Sequence, residues 1–214
     1  MSKKFSVSVN KKIEKFNKKI KVPGDKSCSI RALLLASQCI GESKIFNLLE
    51  STDVLDCLKA LRTLGVKIVK RKNHYSVYGN GLNSFKIKRK LTRLYCGNSL
   101  TTGRLLAGLL STIPSKFYIY GDASANRRDF MRVIEPLEKV GAQFFPRKKT
   151  LPLTIEGTSL PLAQKHVETR GSSQVKGLIL LSALSTPGIT TVEELKEKSS
   201  RTHTEIFLKK IGCD

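Results

Sequence analysis

The chain has 214 residues, 40% of them hydrophobic, which is enough for one large or two small domains with a packed core. Its formal net charge of +22 is compatible with nucleic acid, an anionic membrane surface or phosphorylated small molecules as partners. Nucleic acid is disfavoured, because the lysines are scattered rather than in blocks, aromatic residues make up only 7% and Trp is absent.

The cysteines and the N-terminus indicate a cytoplasmic protein. The five cysteines are odd in number and form no CxxC pair, so we expect reduced thiols and no metal site. Residues 1–21 are basic but contain no continuous apolar stretch, which predicts neither a signal peptide nor a membrane anchor. No later segment reaches the length needed to span a membrane.

The first predicted helix follows the turn signal Pro23-Gly24 and covers 30–36, with Ser27 as its N-cap. A helix N-terminus presents free N–H groups and the positive end of the helix dipole. Lys26 and Arg31 add an ammonium and a guanidinium there, which suit a phosphate or a carboxylate. The alternative is a capped buried helix with two solvated cations, since no complete phosphate-loop motif is present.

An internal repeat of about seventy residues runs through the chain. Three helices are apolar on nearly all sides, which predicts that they are buried. Each is followed by a short β-type stretch and an amphipathic helix that ends in glycine, the residue suited to a left-handed cap. The buried helices are 31–36, 103–110 and 175–184, and the glycines are Gly65, Gly141 and Gly212.

Two predicted strands follow each of the first two glycines, at 66–70 and 75–78 and at 143–145 and 151–155. Only two residues follow Gly212, so we expect a third repeat without its closing strands, in a chain that stops early. The predicted fold is α/β (α+β), with three repeats at about 21–90, 91–160 and 161–214.

Polar residues also precede the second and third buried helices. The loop 96–104 leads into the second helix with an arginine one turn in, and 171–174 opens the third with hydroxyls and an amide. Residues 121–128 place two arginines before the second amphipathic helix. Each alone is explained as an ordinary helix cap or a solvated surface. The starts of the three buried helices occupy equivalent positions in the three repeats, and each is polar or basic. This equivalence favours a common binding site.

The motifs, in this order, resemble the EPSP synthase (3-phosphoshikimate 1-carboxyvinyltransferase) family. The resemblance begins with VPGDKSCSIRALLLAS at 22–37 and continues through NLLESTDVLDCLKALRTLGV, CGNSLTTGRLLAGLL, GDASANRR, SSQ and SRTHTE, covering about residues 20–214. It implies repeated βαββαβ units with buried parallel helices, as the repeats predict. The related UDP-N-acetylglucosamine enolpyruvyl transferases fit less well, because Lys26-Ser27, SSQ and SRTHTE point to shikimate 3-phosphate.

The resemblance implies transfer of the enolpyruvyl group of phosphoenolpyruvate to the 5-hydroxyl of shikimate 3-phosphate, with release of phosphate and without metal or organic cofactor. It assigns Lys26 to both substrates, Arg128 to phosphoenolpyruvate, and Asn98 and Thr101 to the loop that lines the phosphoenolpyruvate pocket. The residues implied for shikimate 3-phosphate are Ser27, Arg31, Ser172, Ser173, Gln174 and Ser200, with Arg201 beside it.

Two departures from the family qualify this expectation. Leu100 stands where the family has glycine or sometimes alanine, so we expect its side chain to intrude on phosphoenolpyruvate and on the inhibitor glyphosate. Family members are about twice as long, and their proton-transfer residues come from a second domain, so no catalytic residue is assigned in this chain. Residues 1–20 are expected to be a strand segment that the family packs on that other domain.

Three hypotheses follow. The first is an EPSP synthase-type chain, truncated or split, that is active at most with a C-terminal half supplied separately. The second is a decayed, non-catalytic remnant with an exposed sheet edge. The third is a basic protein that binds nucleic acid or other polyanions, for which a steep loss of affinity with salt would be the signature.

Overall fold

The computed structural model describes residues 6–12 and 15–213. Three helices lie at the centre and sheets lie outside them, because the central helices are apolar on most sides and each sheet is apolar on one face. The described residues before Lys26 form no helix or strand. The predicted strand segment 1–20 is therefore not a strand where the structure describes it, and residues 1–5 and 13–14 lie outside the described part.

The first repeat consists of two helices and a three-stranded antiparallel sheet with strand order β1-β3-β2. Val77 of β3 and Ile68 of β2 are opposite each other and buried, and the sheet packs on α1 and α2. Its elements are α1 (Lys26–Ala36), β1 (Ile40–Phe46), α2 (Thr52–Thr63), β2 (Lys67–Lys70) and β3 (His74–Asn80).

The second repeat has a four-stranded sheet with order β4-β5-β7-β6, in which β4 and β5 are parallel and the other pairs antiparallel. Strands β4 and β5 alternate exposed and buried residues, as expected for a sheet with one face on the core. Its elements are β4 (Leu91–Tyr95), α3 (Leu100–Leu110), β5 (Lys116–Tyr120), α4 (Met131–Val140), β6 (Gln143–Phe145) and β7 (Leu153–Glu156).

The third repeat has two parallel strands, β8 and β9, with Val167 opposite Glu193. Its elements are β8 (Lys165–Glu168), α5 (Ser173–Ala183), β9 (Thr191–Glu194) and α6 (His203–Lys210). Counted from β1, the chain runs β1-α2-β2-β3-β4-α3 and then β5-α4-β6-β7-β8-α5, so the order βαβββα occurs twice. The repeat is present, but its strands and helices do not follow the expected βαββαβ order. The α/β fold of repeated units is confirmed.

The central helices pack closely on one another. Helix α3 packs on α5 through Gly108, where an added Cβ would collide with the carbonyl oxygen of Leu178. Helix α1 in turn packs on α3 and α6. The three amphipathic helices end as predicted, because Gly65, Gly141 and Gly212 all have positive φ angles of 84°, 110° and 84°.

The structure corrects the predicted elements at the start of α1 and in two strands. Helix α1 begins at Lys26 with Asp25 as its N-cap, because the Asp25 carboxylate accepts a hydrogen bond from the N–H of Cys28 at 2.7 Å, so Ser27 lies inside the first turn. Strands β4 and β8 were not predicted. Helix α4 continues through Pro136. No helix in the described ranges is long and apolar enough to cross a membrane.

Candidate functional site

A polar cavity of about 290 Å³ lies where the first turns of α1, α3 and α5 meet the loop before α6. The three helices begin in the same way, since the side chains of Asp25, Ser99 and Ser172 cap them by accepting a backbone N–H three residues on. The residues lining the cavity are Ser27, Arg31, Thr101, Gly171, Ser173, Gln174, Ser199, Ser200, Arg201 and His203. Seven of the eleven predicted site residues are therefore brought together here.

Arg31 is the cation held most firmly in this cavity. It is only 2% exposed, and its guanidinium donates from Nε to Thr204 Oγ1 at 2.8 Å and from Nη1 to the Ser27 carbonyl at 3.1 Å. Burial lowers the pKa of Arg31 from its ordinary value, but a guanidinium remains charged at neutral pH. The cavity therefore contains a fixed positive charge beside the helix starts.

Gln174 is fixed by side chains from the second repeat. Its amide oxygen accepts a hydrogen bond from Arg104 Nη1 at 2.7 Å, and its amide nitrogen donates to Thr101 Oγ1 at 3.1 Å. Arg104 also donates to the carbonyl of Asp129 at 2.7 Å, and burial lowers the pKa of Arg104 to about 10. The side-chain amide is thus held at the cavity wall by helix α3.

The loop before α6 contributes Ser200 and Arg201. The N–H of Ser200 donates to Glu194 at 3.0 Å, which ties the loop to the end of β9. The Oγ of Ser200 is buried and has no hydrogen-bond partner among the described residues. An unpaired buried hydroxyl is costly, so its position beside the cavity favours a polar ligand as its partner.

A buried ion cluster holds this loop and α6 in place. Lys176 of α5 is nine-tenths buried, and its Nζ lies 2.6 Å from a carboxylate oxygen of Glu194 and 2.6 Å from one of Glu205. Burial disfavours the charged Lys176, but the two carboxylates outweigh that effect and raise its pKa. One lysine therefore links α5, β9 and α6 beneath the cavity.

Four predicted site residues lie outside the cavity. Lys26 pairs with Asp53 of α2 at 2.9 Å. Arg128 donates to Asn98 at 2.9 Å, and Asn98 donates in turn to Asp122 at 2.8 Å, which makes a second polar cluster near the start of α3. Ser172 caps α5 and lines a separate, smaller cavity beside His166.

Leu100 is the first residue of helix α3. Its side chain is 3% exposed, belongs to the hydrophobic core and is not among the residues that line the cavity. The first residue of α3 is therefore an anchor of the helix in the core rather than a side chain that projects into open space.

Several contributors to the site were assigned no ligand, although all but Ser199 lie in the motifs and loops singled out above. Gly171, Ser199 and His203 line the cavity, while Arg104 and Thr204 act on Gln174 and Arg31 from outside it. The motifs marked their positions but not their partners, because the contacts of Arg104 and Thr204 join residues 70 and 173 positions apart.

The cysteines of the described chain are all free thiols. Cys57 and Cys96 are buried, and burial raises the pKa of Cys57 to about 12, so both behave as small apolar side chains. Within residues 6–12 and 15–213, no group of three or more His, Cys, Asp or Glu side chains could hold a metal ion. The cavity lining offers hydroxyls, one amide, the imidazole of His203, the buried guanidinium of Arg31 and the exposed guanidinium of Arg201.

Comparison with known proteins gives one family throughout. The model of the EPSP synthase (3-phosphoshikimate 1-carboxyvinyltransferase) family matches residues 10–214. A 3-phosphoshikimate 1-carboxyvinyltransferase of Nitrobacter winogradskyi is 38% identical over 211 residues, which are 95% of this chain and 46% of the relative. One of Ruegeria sp. is 39% identical over 198 residues, 90% of this chain and 42% of the relative.

The solved structures agree. The EPSP synthase from Acinetobacter baumannii superposes with a TM-score of 0.84 at 35% identity, covering 91% of this chain and 44% of the other. The chain thus spans less than half the length of the relatives that it matches. The comparisons do not favour a decayed remnant or a general polyanion-binding protein. The chain belongs to the EPSP synthase (3-phosphoshikimate 1-carboxyvinyltransferase) family.

Proposed function

We propose that the cavity binds shikimate 3-phosphate and that the chain provides this half of the active site of a 3-phosphoshikimate 1-carboxyvinyltransferase. The observation that carries the proposal is the convergence of three equivalent helix starts on one polar cavity. Free N–H groups, hydroxyls and the buried Arg31 supply donors and positive charge on one side, as a phosphorylated polyol requires.

The ligand's groups can be assigned to parts of the cavity. Arg31, Ser200 and Arg201 supply charge and a free hydroxyl for the phosphate, and the unpartnered Oγ of Ser200 supports this assignment. Ser173 and Gln174 suit the ring hydroxyls and carboxylate, because Gln174 is already oriented by two hydrogen bonds. Ser27 completes the wall, and Ser172 acts through its cap of α5.

Phosphoenolpyruvate is assigned to the second polar cluster. Arg128 and Asn98 are joined there by a hydrogen bond, and Thr101 connects that side to Gln174. Lys26, paired with Asp53 here, is assigned to both substrates. In this proposal the enolpyruvyl group passes to the 5-hydroxyl and phosphate leaves, while the fixed cations bring the two anionic substrates together.

The proton-transfer groups are assigned to a second domain, as in the family, so we propose a C-terminal half as partner. The relatives are more than twice as long as the matched region, which supports this partner. The five free thiols support a reducing, cytoplasmic location.

Calorimetric titration with shikimate 3-phosphate tests the proposal. We expect saturable 1:1 binding at moderate salt, with inorganic phosphate and shikimate each binding much more weakly. Gln174→Leu should weaken binding at least tenfold, whereas the matched control Gln143→Leu, on the exposed edge strand β6, should not. Adding the C-terminal half of the Nitrobacter winogradskyi relative should then produce phosphate release from phosphoenolpyruvate.

Two results would contradict the proposal. One is equal affinity for shikimate 3-phosphate and inorganic phosphate. The other is binding that any polyanion reproduces and that falls steeply with salt, as simple charge attraction would give.

A further inference from the structure

The guanidinium of Arg31 is held by a residue of another repeat. Thr204 lies in the first turn of α6, is 1% exposed, and its Oγ1 accepts the hydrogen bond from Arg31 Nε at 2.8 Å. The two residues are 173 positions apart, so the contact exists only when α6 is packed against α1. Thr204 lies in the motif SRTHTE, but the resemblance assigns it no role.

This contact determines which edge of the guanidinium is free. Among the described residues, its hydrogen bonds come from Nε to Thr204 and from Nη1 to the Ser27 carbonyl. These two bonds fix the plane of the guanidinium. The remaining N–H groups, mainly on Nη2, are left for a ligand in the cavity that Arg31 lines.

Thr204 is packed closely against helix α5. Gly177 of α5 faces it, and a Cβ at that position would lie 2.8 Å from Thr204 Oγ1 and 3.7 Å from Arg31 Nη2, so a larger residue would push them apart. The next residue, Glu205, is bound to the buried Lys176, which fixes the first turn of α6 on α5.

We propose that Thr204 is a positioning residue, which orients the guanidinium of Arg31 so that its free edge can bind the phosphate group of the ligand. The inference rests on the proposed function for the identity of that ligand. Thr204 itself does not touch the ligand in this proposal, because its hydroxyl is buried against Arg31 and is not part of the cavity wall.

The orientation can be measured in the free chain by NMR. The Nε–Hε signal of Arg31 should be resolved and protected from solvent exchange in the wild type, because the bond to Thr204 is buried. Thr204→Val, which keeps the shape and removes the acceptor, should shift this signal and speed its exchange, while Thr204→Ser should preserve it. Thr63→Val, on the exposed end of α2, is the control for the substitution. An unchanged Arg31 signal in Thr204→Val would overturn the inference.

The consequence for binding is measured by titration with shikimate 3-phosphate. We expect Thr204→Val to weaken the affinity about tenfold or more. Thr204→Ser keeps the hydroxyl, so it should retain most of the wild-type affinity and the wild-type denaturation midpoint. Thr204→Ala provides a smaller second variant if Val perturbs folding. If Thr204→Val and Thr204→Ala both bind shikimate 3-phosphate as tightly as the wild type, the inference is overturned. Absence of binding in the wild type would count against the proposed function, and the Arg31 signal would then decide the inference alone.

Discussion

The second and third repeats each contain one buried and one amphipathic helix, but they are held together by different forces. In the second, a four-stranded sheet covers α3 and α4, and Phe117, Phe130 and Leu153 are fully buried. The third has two strands, leaves Ile189 85% exposed, and depends on the ion cluster around Lys176.

The difference matters because the less covered repeat contributes the loop and helix that complete the site. Apolar burial depends little on pH or salt, whereas ion pairs depend on both. The second repeat is therefore a stable support, and the order of Ser200, Arg201 and Thr204 depends on a few charged contacts. Three predictions test this contrast and a fourth concerns the helix start beside the cavity, in order from the largest expected effect to the smallest.

The largest effect is expected in the apolar core of the second repeat. Phe130→Ala should lower the free energy of unfolding by about 3–5 kcal/mol, because it opens a cavity in a core with no exposed surface. Ile189→Ala in the third repeat should change it by less than about 0.5 kcal/mol. Chemical denaturation measures both, and similar losses for the two variants would remove the contrast.

The ion cluster should give the next largest effect. Lys176→Met should cost about 3 kcal/mol, because it leaves the carboxylates of Glu194 and Glu205 facing each other without their cation. The matched control is Lys165→Met, which removes an exposed partner of Glu193 and should cost less than about 1 kcal/mol. A loss in Lys176→Met no greater than in the control would show that the cluster contributes little.

Acid should loosen the third repeat before the second. Burial raises the pKa of Glu194, but hydrogen bonds from Lys176 and Ser200 outweigh it and leave the pKa below the ordinary 4.5. The stabilisation by this carboxylate is therefore complete above pH 4.5 and is lost as the pH falls through the lowered value. Hydrogen exchange should show amides of α6 losing protection on acidification while those of α3 retain it.

The control for this pH dependence is Glu194→Gln, which cannot titrate. In that variant the protection of α6 should be lower at neutral pH and should change little with acid. Simultaneous loss of protection in both repeats of the wild type would contradict the prediction.

The smallest effect concerns the start of α1, beside the cavity. Asp25→Ala should destabilise the chain by about 1 kcal/mol, because it removes the hydrogen bond that caps the helix. Ser51→Ala at the start of α2 should change the free energy of unfolding by less than about 0.5 kcal/mol, since that side chain makes no capping hydrogen bond. Denaturation midpoints that rank the two variants in the opposite order would show that the cap is not the source of stability.

The apolar periodicity predicted the core and the repeats, because the residues that bury a helix lie within one short segment of the sequence. The glycines that end α2, α4 and α6 were identified for the same reason, since a left-handed cap depends on the conformation of a single residue. The N-cap of α1 was misassigned by two residues, because both Asp25 and Ser27 can cap and only the backbone decides between them.

The site was predicted less completely, because its geometry depends on contacts between repeats. The helix starts indicated Arg31 and Gln174, and the family resemblance implied Ser200, but neither showed that Thr204 and Arg104 orient Arg31 and Gln174. The expectation for Leu100 came from a comparison with small residues in the family; its side chain lies in the core, and its effect on phosphoenolpyruvate stays a prediction. Such long-range packing leaves no periodic signal in a single sequence.

The central claim is that three helix starts form one shikimate 3-phosphate site, and NMR titration of the ¹⁵N-labelled chain tests it most directly. The account predicts that the amides of Ser27, Thr101, Gln174 and Ser200 shift together, saturate with one dissociation constant, and do not respond alike to inorganic phosphate at equal concentration. Shifts that free phosphate reproduces, or that are confined to scattered surface lysines, would contradict it.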